Sequence, residues 1–372
     1  MVLLLESSGS FLVLPIAKIY FFKYKIANLY WSYNREHAHI DYIRIYISIL
    51  QFFKSPGQIA IIAFTFSQGI GLKEIISKRI IMAFKVSQEI YQFGGRLYKL
   101  SHPSEITKTS MDVNVFVPPQ GLDAKDKKIP VLLYLSGLTC TPNNATEKSF
   151  FQYFASKYGF AVVFPDTSPR GAKIEGEDES WDFGTGAGFY VDSLAEPWSN
   201  NYNMYSYVHK ELLSKLATQF PALDFEENIS ITGHSMGGLG ALCGFLKNPG
   251  KYKSVSAFAP ISNPSTCPWG HKAFSNYLGK DESQWLKYDP THLIKEYKGD
   301  QPTILIHQGA ADGFYKDKQL QPENLVKAAE EAGYKGGIDL NIVDGYDHSY
   351  FFIGTFSEEH AKHHAKYLGL LN

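Results

Sequence analysis

A serine lies in a glycine-crowded segment of the sequence, GHSMG, at residues 233–237. A β-branched run that begins at Asn228 comes before it, and an apolar run with helical spacing follows. Gly-x-Ser-x-Gly between a strand and a helix is typical of a nucleophile elbow, in which strained backbone exposes the serine Oγ. Because the pattern also arises by chance in tight turns, Ser235 needs partner residues before it can be interpreted as a nucleophile.

A serine hydroxyl reacts only when a neutral imidazole takes its proton and a carboxylate orients that imidazole. Where the serine lies on such an elbow, the acid and then the histidine follow it along the chain. Asp312 follows the run PTILIHQG, and His348 follows the run IDLNIVDG. We therefore predict Ser235 as nucleophile, His348 as general base and acid, and Asp312 as the orienting carboxylate.

Other acids and histidines compete for these roles. Three acids lack a position directly after a buried strand: Asp289, Asp317 and Asp339. His307 lies inside a predicted strand, which favours a core role. Three histidines fall along a predicted helix: His360, His363 and His364. The i, i+4 pair among them could bind a metal, but no accompanying Glu-x-x-His pattern supports this. We interpret them as a solvated helix face and predict neither a metal nor a cofactor.

An oxyanion hole needs two backbone amides, one directly after the nucleophile and one in the loop after an earlier strand. Met236 supplies the first amide by its position. The segment SGLT, residues 136–139, follows the strongest early strand-like run, and we choose the amide of Leu138 as the second donor. Each such donor stabilises the transition state by about 3 to 4 kcal/mol. An ordinary strand-to-helix turn is the alternative for this loop.

Apolar runs alternate with helical segments after residue 82. Two amphipathic strand-like runs come first, GGRLYKLSH and TSMDVNVFVP, and six continuously apolar runs follow: IPVLLYLSG, FAVVFPDTS, NISITGHS, SVSAFAP, PTILIHQG and IDLNIVDG. Helical spacing recurs over 148–158, 204–220, 238–247, 322–332 and 358–368. This alternation predicts an α/β fold with a mostly parallel central sheet flanked by helices. Residues 169–203 lack this alternation of strand-like and helical runs, which predicts a long loop excursion above the sheet.

Residues 1–81 differ in composition from the rest of the chain. They are dominated by Ile, Phe, Tyr, Leu and Lys, with no sustained helical or strand period. The longest charge-free stretch, 55–72, contains Pro56 and Gly57 and is a poor candidate for the ~20 apolar residues of a membrane span. Secretory and transit signals also fit poorly. We expect residues 1–81 to be an N-terminal extension, disordered or from an overextended gene model, and residues 82–372 to form one domain.

Charge and cysteine content narrow the range of partners. The 372 residues carry 36 Lys and Arg against 37 Asp and Glu, which leaves no basic excess for nucleic acid. Three widely spaced cysteines without a Cys-x-x-Cys pair indicate neither a disulfide framework nor a cysteine-based zinc site. They favour a reducing compartment. We expect a cytoplasmic protein without a membrane partner, and a homodimer is left open.

Long motifs follow one another from about Gly94 to the end of the chain: YLSGLTCT, FPDTSPRG, GEDESWDFGTGAGFY, ITGHSMGG, YKSVSAFAPISNP, CPWG, ILIHQG and GYDHSYFFI. Together they resemble the S-formylglutathione hydrolase family, also called esterase D. The resemblance implies an α/β-hydrolase fold and cleavage of the thioester S-formylglutathione to glutathione and formate, the last step of glutathione-dependent formaldehyde detoxification. On this pattern Ser235, Asp312 and His348 match the family's charge-relay residues.

The small acyl group of that substrate suggests how the pocket is closed. Trp181 and Trp269, both in loops rich in Gly and Pro, are predicted to exclude long acyl chains. Packing within the loops is the alternative for both. Cys140, two residues beyond Leu138, is placed near the same pocket, with structural burial as its alternative. Two alternative functions stay open: a broad-specificity short-chain carboxylesterase, and a non-catalytic binding protein of the same fold.

Overall fold

The computed structural model describes residues 84–371 except 123, 125 and 126, together with four short strands nearer the N-terminus. The chain divides into two compact units, 1–77 and 78–372. In the first unit, β1 (Val2–Ser7) pairs antiparallel with β2 (Ser10–Pro15), and β3 (Tyr46–Ser48) pairs antiparallel with β4 (Ala63–Thr65). Most of the predicted extension, 1–81, lies outside the described residues. Its disorder and its boundary at residue 82 therefore stay predictions.

A nine-stranded sheet forms the centre of the second unit. Its strands are β5 (Lys85–Gln92), β6 (Gly95–Pro103), β7 (Ser110–Val117), β8 (Ile129–Leu135), β9 (Ala161–Pro165), β10 (Leu223–His234), β11 (Tyr252–Phe258), β12 (Ile304–Gly309) and β13 (Ile338–Val343). Their order across the sheet is β13-β12-β11-β10-β8-β9-β7-β6-β5. Pairing is parallel from β13 to β9 and antiparallel from β9 to β5. The predicted mostly parallel sheet is confirmed.

Helices connect the strands. They are α1 (Pro119–Leu122), α2 (Pro142–Lys148), α3 (Phe151–Tyr158), α4 (Met204–Ser206), α5 (Leu213–Gln219), α6 (Met236–Lys247), α7 (Pro268–Tyr277), α8 (Glu282–Leu286), α9 (Pro290–Glu296), α10 (Gly313–Lys316), α11 (Pro322–Ala332) and α12 (Tyr350–Tyr367). A π-helical segment, Tyr207–Leu212, joins α4 to α5. The helix predicted over 148–158 is broken because Phe150 has φ of 61° between α2 and α3. Among the described helices, none has the length and apolar character needed to cross a bilayer.

The excursion over 169–203 contains one short 3₁₀ turn, and Tyr277 is one of the α7 residues that bind it. The Tyr277 hydroxyl accepts a hydrogen bond from the Gly184 amide at 3.0 Å and donates one to the Ala187 carbonyl at 2.9 Å. The Thr139 amide donates to the Gly186 carbonyl at 2.9 Å. The excursion thus packs on the loop that follows β8, at the carboxyl end of the sheet.

Two of the three α12 histidines are buried, so the prediction of a solvated helix face is wrong for them. His360 and His364 have no exposed surface. His360 Nδ1 lies 2.8 Å from the Ser256 hydroxyl, and His364 Nε2 lies 2.7 Å from the same oxygen. His307 Nδ1 lies 3.0 Å from His360 Nε2 and is itself buried, which confirms its predicted core role. Helical spacing could not reveal that polar side chains of β11 and β12 satisfy these imidazoles.

The folded protein should therefore lose stability as the pH falls through about 6.5, the ordinary histidine pKa. Burial lowers the pKa of His363 to about 4 and of His209 to about 3, and holds those of His360 and His364 well below 6.5. Such groups are neutral when folded and bind protons on unfolding, so the stability present above the unfolded pKa is lost as pH falls. Each should cost about 1 kcal/mol between about pH 7.5 and 5.5. A Tm that stays constant over this range would contradict this expectation.

Candidate active site

Ser235 lies at the turn between β10 and α6, with φ of 59° and ψ of −118°. Glycines lie two residues before and two residues after it, because the backbone segments there nearly touch. A Cβ on Gly233 would lie 2.1 Å from the Gly237 carbonyl oxygen, and one on Gly237 would lie 2.1 Å from that of Leu135. The Ser235 amide donates to the Phe258 carbonyl at 2.9 Å and holds the strained turn. This is the geometry of a nucleophile elbow, at the end of a helix that favours negative charge.

Asp312 and His348 are joined by a hydrogen bond of 2.6 Å between Oδ2 and Nδ1. Asp312 has no exposed surface. It also accepts hydrogen bonds from Gln308 Nε2 at 3.0 Å and from the Phe314 amide at 2.8 Å. Burial raises the pKa of Asp312, but the hydrogen bonds, that of His348 first, outweigh burial and lower it. An ionised Asp312 fixes a proton on Nδ1 of His348, which leaves Nε2 to act as the base.

The His348 imidazole is held between two aromatic rings. The His234 ring lies 4.5 Å away between centroids, and the Phe314 ring meets it edge-on at 4.9 Å and 84°. Because His234 directly precedes Ser235, this contact places His348 beside the elbow. No hydrogen bond joins Ser235 Oγ to His348 within the part of the chain that the structure describes. Such bonds often tighten only when substrate is bound.

His234 is a feature that the sequence analysis missed. It is buried, and within the described residues neither of its ring nitrogens has a hydrogen-bond partner. Burial holds the pKa of His234 well below 6.5, and the charge of His348 lowers it further. His234 therefore stays neutral when His348 accepts a proton. Its position inside the GHSMG motif was the available signal, but the motif does not reveal what the ring touches.

The two amides predicted for the oxyanion hole lie in segments that pack on each other. A Cβ on Gly137 would lie 3.1 Å from the Ser235 Cβ, so the loop carrying Leu138 packs directly on the elbow. Met236 is the first residue of α6, whose N-terminal amides have no partner within the helix. Neither the Leu138 nor the Met236 amide donates a hydrogen bond to another described residue. Both amides thus lack an acceptor among the described residues, as the donors of an oxyanion hole must.

The tryptophans predicted for the pocket meet at a third aromatic residue. The Trp181 and Trp269 rings lie 5.8 Å apart, and they lie 6.4 Å and 4.7 Å from the Phe314 ring. The prediction that Trp269 lies in a loop is wrong. Trp269 is buried in the first turn of α7, because Pro268 occupies the first helical position rather than breaking the structure. Phe314, which sequence reasoning missed, connects both tryptophans to His348.

Cys140 is separated from the His234 ring by one side chain, that of Tyr350. Its Sγ is 3.7 Å from the Tyr350 hydroxyl, and the Tyr350 ring lies 6.0 Å from the His234 ring. Burial raises the pKa of the Cys140 thiol, which disfavours the reactive thiolate. Cys140 is therefore near the elbow but buried.

The competing acids lie elsewhere. Asp289 is buried and caps α9, accepting a hydrogen bond from the Thr291 amide at 2.9 Å. Asp317 follows α10, and Asp339 lies within β13 with its side chain exposed. In the described part of the chain, none of these three acids accepts a hydrogen bond from an imidazole. Only Asp312, of the four acids considered, is paired with a histidine there.

The mostly parallel sheet, its elbow serine and the buried Asp–His pair define an esterase of the α/β-hydrolase class, and the esterase family model matches residues 104–364. The chain is 52% identical over 300 residues to the S-formylglutathione hydrolase of Saccharomyces cerevisiae, covering 77% of this chain and 100% of that one. It is 52% identical over 287 residues to that of Mus musculus, covering 77% and 99%. The chain belongs to the S-formylglutathione hydrolase family.

A solved structure supports the same assignment. The S-formylglutathione hydrolase from Agrobacterium tumefaciens is 44% identical, with a TM-score of 0.71 over 77% of this chain and 100% of that chain. The α/β-hydrolase fold and the family resemblance predicted from the sequence are thereby confirmed.

Proposed function

We propose that this protein hydrolyses the thioester S-formylglutathione to glutathione and formate, with Ser235 as nucleophile and His348 as base. The observation that carries the proposal is the 2.6 Å bond from Asp312 to His348, beside the strained Ser235 turn. The cytoplasm is the compartment we propose, since the three cysteines are free and buried. The partner is a small glutathione thioester.

The first step transfers the formyl group to the enzyme. Ser235 Oγ attacks the formyl carbon while His348 Nε2 takes the hydroxyl proton. The amides of Leu138 and Met236 donate to the oxyanion that forms on the carbonyl oxygen. Collapse of this intermediate breaks the carbon–sulfur bond, so glutathione thiolate leaves and formyl-Ser235 remains. The departed thiolate takes the proton from the His348 imidazolium, which leaves His348 neutral for the second step. A thiolate leaves readily, so this step needs less proton assistance than loss of an amine.

The second step returns the enzyme to its starting state. A water molecule attacks the formyl ester while His348 takes one of its protons. The imidazolium then protonates Ser235 Oγ as formic acid departs, and the acid loses its remaining proton to solvent as formate. Ionised Asp312 stabilises that imidazolium, and neutral His234 places no opposing charge against it.

A comparison of substrates tests the proposed function. The alternative is a broad short-chain carboxylesterase, because this machinery does not specify the leaving group. We expect kcat/KM of the full-length protein for S-formylglutathione to exceed that for p-nitrophenyl acetate by ~100-fold. Ser235→Ala protein provides the background of non-enzymatic hydrolysis. An equal or higher kcat/KM for the aryl ester would favour the carboxylesterase.

Replacement of Trp181 or Trp269 by alanine should admit longer acyl groups. Both rings pack on Phe314, which contacts His348, so removing either one opens space beside the reacting carbon. We expect kcat/KM for butyryl relative to formyl esters to rise by ~10-fold. Trp285→Ala is the matched control, because Trp285 packs on α7 through Phe274 instead. Unchanged discrimination in both pocket variants would leave the tryptophans as packing anchors.

A further inference from the structure

Trp181 is an exposed aromatic side chain in an otherwise anchored turn. Trp181 is 55% exposed, whereas Phe183, two residues later, is buried and stacks on Tyr277 of α7 at 4.6 Å. Ser180 and Phe183 also form an antiparallel bridge that closes the turn. The turn is therefore anchored at Ser180 and Phe183, while the indole between them projects towards Phe314.

One lysine of α7 binds both neighbours of Trp181. Lys272 Nζ donates to the Ser180 hydroxyl at 2.7 Å and to the Asp182 carboxylate. The Asp182 side chain is only 15% exposed, and the hydrogen bonds of Lys272 and Ser180 outweigh burial and lower its pKa. Most exposed ion pairs contribute little to stability. The Lys272–Asp182 pair differs because the Lys272 ammonium has two acceptors, Ser180 and Asp182, and joins the turn to α7.

The same helix carries the other tryptophan of the pocket. Trp269 and Lys272 are three residues apart on α7, so they lie on neighbouring positions of one helix face. Trp269 packs on the Trp181 ring from one side, while Lys272 binds the side chains of the two residues that flank that ring. Helix α7 thus contacts the indole directly and also binds both residues that flank it.

We propose that Lys272 is a positioning residue that determines acyl-chain specificity: by binding Ser180 and Asp182 it holds Trp181 over Phe314 and limits the acyl length that reaches Ser235. This inference rests on the proposed function, in which the aromatic cluster borders the acyl group. Without Lys272 the turn would keep its Phe183 anchor but lose the tie that fixes Trp181. Longer acyl chains could then displace the indole at little cost.

The test is the ratio of kcat/KM for p-nitrophenyl hexanoate to that for p-nitrophenyl acetate, measured with the full-length protein. Lys272→Met keeps the apolar stem and removes the donors, and we expect it to raise the ratio by ~10-fold with acetate turnover little changed. Lys272→Arg keeps the donors, so its hexanoate-to-acetate ratio should stay close to that of the unmodified protein. Lys157→Met, which breaks the 2.8 Å pair with Glu358, is the matched control and should leave the ratio unchanged.

A double variant tests whether the effect passes through Trp181. Adding Lys272→Met to Trp181→Ala should give no further change in the ratio, because the ring that Lys272 positions is already absent. An unchanged ratio in Lys272→Met, an equal loss on both esters, or additive effects in the double variant would overturn the inference. If Lys272→Met fails to fold, Asp182→Asn takes its place in the same comparison. Absence of S-formylglutathione turnover by the unmodified protein would instead refute the proposed function.

Discussion

Ser235→Ala should lower kcat for S-formylglutathione by about 100,000-fold, since loss of the nucleophile removes the covalent route and leaves only binding and the oxyanion donors. The fold should survive, because alanine meets the same backbone strain at φ of 59° as serine does. Steady-state kinetics with thermal unfolding of the same preparation would measure both effects.

A serine outside the site provides the control for this variant. Ser87 lies in the edge strand β5, where its hydroxyl donates to the Lys99 carbonyl at 2.9 Å. Ser87→Ala should retain kcat within about two-fold, as is usual for surface substitutions away from a site. Substantial turnover by Ser235→Ala protein with an unchanged Tm would contradict the assignment of the nucleophile.

Asp312→Asn should lower kcat by about 10,000-fold while KM changes little. An asparagine amide group donates where the carboxylate oxygen accepts from His348 Nδ1, so the imidazole takes the wrong tautomer or turns away from Ser235. The neutral side chain also fails to stabilise the imidazolium that forms during each step.

A second buried carboxylate separates this effect from simple destabilisation. Asp289 has no exposed surface and accepts hydrogen bonds from Asn263, Ser265 and the Thr291 amide. Asp289→Asn should lower the Tm, while kcat per folded molecule stays within about two-fold, because no catalytic group depends on it. Equal losses of kcat in the two variants would show that Asp312 acts only through folding.

The parts of the fold that follow local rules could be predicted from the sequence. Continuous apolar runs predicted the parallel strands, but β13 lies at the edge of the sheet and has no buried residue, so its predicted burial is wrong. Helix α11 begins and ends at the predicted residues, with Pro322 in its first turn and Gly333 after its end. The edge strand β5 was not predicted, because almost all of its side chains are exposed and it lacks a clear apolar pattern. Helix α12 begins eight residues before the predicted start, at a Ser349 cap followed by aromatic residues that hide the helical period.

The parts of the site that depend on long-range packing could not be predicted. Chain order and strand ends were enough to select Asp312 and His348, which the structure brings to 2.6 Å. Nothing local in the sequence indicates that Phe314 joins Trp181 to His348, or that His234 packs on the same imidazole. Such contacts arise from the meeting of distant segments at the carboxyl end of the sheet.

Covalent labelling of the nucleophile tests the central claim most directly. The full-length protein is treated with a fluorophosphonate, which reacts with activated serines, and the modified residue is located by peptide mass spectrometry. We expect a single adduct on Ser235, absent in Ser235→Ala protein and formed far more slowly when His348 is replaced by alanine. An adduct on another serine, or labelling of Ser235 at an undiminished rate without His348, would contradict this account.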